Sequence, residues 1–74
     1  MSKTKWVYLV IYVPGNEFSC DPTDVENGWF ESDYAITSQE LVTRFRVEIE
    51  QRLQRRIAYI VSIMLMDKYE YTHS

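Results

Sequence analysis

Ile57-Ala58-Tyr59-Ile60-Val61-Ser62-Ile63-Met64-Leu65-Met66 decides the fold, because the run can either prolong a helix or form a strand of its own. Upstream, Leu41, Val42, Phe45, Ile49 and Leu53 recur at helical spacing, and Ile57, Ile60, Val61 and Met64 would carry that stripe onward. No Gly or Pro after Gly28 interrupts it. Against a helix, Ile57, Ile60, Val61 and Ile63 are β-branched, and the run is apolar all round apart from Ser62. A strand from Ile57 to Met66 is the preferred reading, with Tyr69-Glu70-Tyr71 alternating as if to extend it. One helix from Ser38 to Met66 is the alternative.

Moving back along the chain, Ile36-Thr37-Ser38-Gln39-Glu40-Leu41 opens a helix. With Thr37 as N-cap, Glu40 becomes the third helical residue, so hydroxyl and carboxylate each satisfy a free backbone N–H, and Ile36 and Leu41 occupy the staple positions. Glu40 with Arg44, and Glu48 with Arg52, stand four apart in the favourable order. Arg52, Arg55 and Arg56 crowd the last turn, where positive charge suits the helix dipole. Thr43, Glu50, Gln51 and Gln54 supply the polar side, and Val47 falls nearly opposite the stripe, where it is exposed.

Trp6-Val7-Tyr8-Leu9-Val10-Ile11-Tyr12-Val13 is a strand stopped by Pro14-Gly15. Both of its faces are apolar, which marks a central strand. Residues 14–28 hold both prolines and both glycines and form a loop, with Asn27-Gly28 as a tight turn. Trp29 to Ala35 resumes a weaker strand, with Trp29, Glu31 and Asp33 on one face and Phe30, Ser32 and Tyr34 on the other. The expected fold is a single small α+β domain: a three-stranded antiparallel sheet, β-β-α-β in order 2-1-3, with one helix packed on one face. The other face needs a cover. The set Trp6, Tyr8, Val10 and Tyr12 is assigned to it as an oligomer interface, its alternate set being the other choice, and a homodimer packed sheet on sheet is the simplest cover.

Composition narrows the function. A chain of 74 residues builds a core worth only about 3 to 5 kcal/mol unless something staples it. Cys20 stands alone, so no internal disulfide forms, and one Cys with His73 cannot assemble a four-ligand metal site. No cofactor is expected. Lys3 and Lys5 precede an apolar run, but Tyr8 and Tyr12 lie within it and no small-residue cleavage site follows, which points to a cytoplasmic protein. The longest apolar run is far short of a membrane span.

Charge is segregated. Glu17, Asp21, Asp24, Glu26, Glu31 and Asp33 fall together without a basic residue among them, while Arg44, Arg46, Arg52, Arg55 and Arg56 follow later. Asp21, Asp24, Glu26, Trp29, Glu31 and Asp33 are the candidate partner-binding residues: Trp29 anchors and the carboxylates steer approach to a basic protein surface. The alternative puts a nucleotide or other small anion between subunits on the five arginines. A nucleic-acid binder is a third reading, opposed by the net charge of −3. His73 and Cys20 lack the neighbours that general-base or thiolate chemistry needs, so an enzyme is not expected.

The order of Lys5-Trp6-Val7-Tyr8-Leu9-Val10-Ile11-Tyr12, a loop, Ala35 to Leu41 opening a helix, and Ile60-Val61-Ser62-Ile63-Met64-Leu65 closing the chain resembles small accessory proteins of bacteriophages. Those proteins carry a glycine-rich hairpin where this chain has its acidic loop. The resemblance implies a non-enzymatic protein acting in the host cytoplasm by stoichiometric binding to a host defence or regulatory protein.

Overall fold

The computed structural model describes residues 2–16, 18 and 21–72, so the expectations placed on Glu17, Cys20 and His73 lie outside the described residues. In chain order the elements are β1 (Ser2–Pro14), β2 (Glu26–Ser32), α1 (Gln39–Leu53) and β3 (Ile57–Thr72). They form one sheet in the order β2-β1-β3, and both pairings are antiparallel. The order and the α+β layout are those expected from the sequence.

The ambiguity at Ile57 resolves as a strand because the helix is stopped three residues earlier by hydrogen bonding. Gln54 adopts the left-handed conformation, φ 55° and ψ 41°, and its N–H is donated to the Glu50 carbonyl. The Arg55 N–H reaches the same carbonyl at 3.3 Å. Glu50 then uses its side chain as well, its Oε2 accepting from the Ile57 N–H at 2.9 Å, which fixes the angle at which β3 leaves. One carboxylate and one carbonyl thus do what a glycine usually does at such a stop. A side chain in this conformation costs about 1 kcal/mol. Gln54→Gly is therefore expected to raise the denaturant midpoint by about 1 kcal/mol of stability with an unchanged slope; an unchanged or lower midpoint would mean the stop is unstrained.

Local corrections follow from where backbone groups find partners. Ser38, not Thr37, is the N-cap, its Oγ accepting from the Leu41 N–H at 3.3 Å. The third helical position is then Leu41, so Glu40 serves the first turn as a charge at the dipole's positive end rather than as half of a capping box. Gly15 does make the turn that ends β1: its φ is 113°, and its N–H is donated to the Arg56 carbonyl at 2.9 Å. Asn27-Gly28, read as a turn, instead lies inside β2, which begins at Glu26. β2 ends at Ser32, short of Ala35, because the buried Ser32 hydroxyl bonds both the carbonyl (2.7 Å) and the N–H (3.1 Å) of Tyr34 and turns the chain toward the helix.

The core lies between α1 and one sheet face. Phe45 and Ile49, both fully buried, press on Tyr8, Val10 and Tyr12 of β1, with Phe30 of β2 and Ile57 of β3 beside them. Tyr8 meets Phe45 edge to face at 5.8 Å and 63°, and its hydroxyl accepts from the Ile36 N–H at 2.9 Å, tying the connection before α1 to the sheet. This overturns the interface expected at Trp6, Tyr8, Val10 and Tyr12. Tyr8, Val10 and Tyr12 are buried beneath the helix and Trp6 packs at the margin of the same cluster, so they cannot meet a second subunit while α1 is in place.

Beyond Trp6 the sheet narrows. Ser2 to Lys5 pair only with Tyr69 to Thr72, while β2 spans the stretch from Trp6 to Tyr12. This two-stranded extension contributes to a molecule measuring 44 Å along its long axis and 20 Å across.

Candidate functional site

The uncovered face is assembled from the alternate residues of all three strands. Leu9 lies opposite Trp29 on one side and opposite Met64 on the other. The three form a row across the sheet, with Trp29 61 % exposed and Met64 53 % exposed. Rows on either side are mixed: Asn27, Ile11 and Ser62 toward the loop end, and Glu31, Val7 and Asp67 toward the narrow end. The result is an apolar centre on the middle strand with polar and acidic groups on the edges, and no helix above it among the described residues.

Charges at the narrow end are held in place. The Lys5 ammonium bonds the Asp33 carboxylate. The bond holds the lysine above its ordinary pKa and the carboxyl below its own, so the pair persists from weakly acid to alkaline pH. A hydrogen bond to Glu31 raises the Tyr69 pKa.

The structure divides the residues singled out for partner binding. Trp29, Glu31 and Asp33 belong to the uncovered side, as their alternation required. Glu26 does not: it lies opposite Tyr12 on the helix side and pairs with Arg55 at 3.0 Å. Asp21 and Asp24 stay on the exposed loop, where Asp21 closes a turn by accepting from the Thr23 N–H at 2.9 Å and hydroxyl at 2.7 Å. Those two bonds lower the Asp21 pKa. Leu9, Val7, Ile11 and Met64 complete the face, and register alone makes them part of it.

The five arginines do not converge. Arg44 stacks on the Tyr34 ring at 4.9 Å, and Arg46 donates to the Ala58 carbonyl at 3.5 Å across the helix–strand junction. Arg46, Arg55 and Arg56 line an open concavity of about 610 Å³, with Phe18 and Glu50 on its wall. Arg44 and Arg52 are not part of it. Glu50 and the Arg55–Glu26 pair offset much of the positive charge an anion would meet there.

Tyr34 stands out chemically. Burial, then the hydrogen bond its hydroxyl donates to Glu48 at 2.8 Å, push its pKa up to about 12. The folded state holds this proton more tightly than the unfolded chain, whose tyrosines titrate near about 10. The associated stability is therefore complete below pH ~10 and is lost as pH rises from there toward about 12. Tyr12, raised by burial, shifts in the same sense. Tyr34→Phe is expected to cost about 1 kcal/mol at neutral pH and to flatten part of the alkaline decline in melting temperature. An alkaline limb identical to wild type would contradict the assignment.

Among the described residues no helix is long and apolar enough to cross a membrane, and no three His, Cys, Asp or Glu side chains gather as metal ligands. No protein-family model, curated protein or solved structure matches the chain.

Proposed function

We propose that the chain is a non-enzymatic interaction module that acts by stoichiometric occupation of a partner protein's surface, through the sheet face that α1 leaves uncovered. One observation carries the reading: Trp29, Leu9 and Met64 form an apolar row on an open face, the outer two more than half exposed. Contiguous apolar surface of this kind marks an interface, and an exposed tryptophan at its edge is a residue type that often dominates binding energy. Glu31 and Asp67 flank the row and the net charge is −3, so the complementary partner presents an apolar anchor rimmed by basic side chains. In the phage setting that the element layout resembles, that partner is a host defence or regulatory protein.

The test begins with capture from host lysate by the tagged chain and ends with titration of the purified partner. The expected outcome is a one-to-one complex per chain that Trp29→Ser with Met64→Ser weakens at least 30-fold while leaving the melting temperature close to wild type. Binding that survives this pair, but is lost when Arg44, Arg46, Arg52, Arg55 and Arg56 become Gln, would move the site to the arginine side and sink the reading.

A further inference from the structure

β3 is an edge strand whose side away from β1 has no partner among the described residues. It is also unusually apolar for an edge. Val61 and Leu65 are 54 % and 51 % exposed, Met64 and Met66 are exposed too, and no charge interrupts the strand from Ile57 to Met66. Natural edges are normally blunted by lysine, proline, bulges or short length, because a row of unpaired N–H and C=O groups recruits another strand. Here blunting is partial: the register with β1 shifts opposite Val7/Tyr8, Ile11/Tyr12 and Val13/Pro14, and between the first two shifts Ser62 to Leu65 pairs regularly with Tyr8 to Ile11. That regular stretch is the part of the edge able to add a strand.

We infer that the free edge of β3 pairs antiparallel with β3 of a second copy of this chain, about a two-fold axis through Ile63, forming a continuous six-stranded sheet.

Charge favours a second copy as occupant. The apolar run is bounded by Arg55 and Arg56 before it and by Asp67, Lys68 and Glu70 after it, net positive on one side and net negative on the other, so antiparallel self-pairing sets the basic end of each copy toward the acidic end of the other. An axis through a residue, rather than between two, is required for opposed residues to share a sheet face where no bulge intervenes. With the axis on Ile63, Ser62 of one copy lies beside Met64 of the other within the regular stretch, and the basic segment before each strand approaches the acidic segment after the other. A parallel arrangement would instead set like charges together. The two-fold axis stands perpendicular to the sheet, so both helices lie on one side and both Trp29–Leu9–Met64 rows on the other. The pairing is independent of the docking role of that open face, whose residues it leaves free apart from Met64 at its border.

Size-exclusion chromatography with light scattering at about 100 µM protein, together with native mass spectrometry, tests the inference on the full chain. The expected mass is twice the 8.9 kDa of one chain. Val61→Lys with Leu65→Lys is expected to return a folded monomer and to raise the dissociation constant at least 100-fold. Amide exchange supplies a readout without mutation: N–H groups of Ser62 to Leu65 that face away from β1 should exchange slowly in the concentrated wild type and quickly on dilution. A wild-type monomer at 100 µM overturns the inference. So does fast exchange of those amides, or a dimer that tolerates the two lysines and is lost on Trp29→Lys, which would signal packing through the open face.

Discussion

Phe45→Ala is expected to abolish cooperative unfolding at ordinary temperature. The side chain is 0 % exposed and meets Tyr8 at 5.8 Å and Tyr34 at 6.5 Å, both edge to face. Removing a buried phenylalanine costs about 3 to 5 kcal/mol from lost transfer energy and the cavity left behind. A domain of this length holds roughly 4 to 11 kcal/mol in total, with small cores toward the low end. The cost therefore consumes most of the stability, and nothing can collapse into the gap, because among the described residues α1 is the sole element on that face and Ile49 already fills its next turn. Near-ultraviolet circular dichroism should lose its aromatic signal, while Phe45→Leu, which keeps most of the volume, should melt cooperatively at reduced temperature. A Phe45→Ala protein melting within a few degrees of wild type would mean that the helix is not what closes this core.

Gly28→Ala, a change of one methyl group, is expected to cost about 1 to 3 kcal/mol through overpacking. A Cβ at this position would stand 2.8 Å from Cε2 of Phe30, closer than real Cβ atoms approach, and 3.0 Å from its Cζ, tighter than most. The ring cannot easily retreat, since it is buried and meets Tyr12 edge to face at 6.4 Å and 63°. Gly28 is thus a strand glycine kept for space, over which Phe30 lies. The double variant Gly28→Ala with Phe30→Leu tests this directly. Neighbours sharing one volume should be non-additive, so the pair should lose less than the sum of the single changes. Additive losses in urea midpoints would place the cost in the backbone instead.

The Gly28 case shows why one element was misread from sequence. Asn-Gly is a turn dipeptide by local propensity, but the register opposes Gly28 to Val10 and Phe30 to Tyr8, and the space above Gly28 belongs to a ring two residues on. Propensity carries no information about that ring. The same holds at the cap, where Thr37 and Ser38 both offer hydroxyls and the path of the chain from Ser32, pinned by Tyr8, selects Ser38. The candidate site was half legible. Alternation along β2 separates Trp29, Glu31 and Asp33 from Phe30 and Ser32, and three polar or amphipathic groups sharing a face mark it as the wet one. Glu26 was misplaced for want of its partner, Arg55, which lies far along the chain.

By itself the sequence favoured these elements in this order but left Ile57 to Met66 open between a strand and a longer helix, which the left-handed stop at Gln54 and the Glu50 carboxylate on the Ile57 N–H decided. β-branched residues and an all-round apolar run favoured the strand, and a strand apolar on both faces must lie between two others. It could not determine which face of β1 the helix covers, because Trp6, Tyr8, Val10 and Tyr12 are as apolar as Val7, Leu9, Ile11 and Val13. With period-2 contrast absent, alternation carries no direction. Pairing decided it: Tyr8 opposite Phe30, and its hydroxyl bonded to the Ile36 N–H, commit the even-numbered face to α1. Leu9 is thereby left between Trp29 and Met64 on the open side, a neighbourhood made by register across residues distant in sequence, which only the tertiary structure contains.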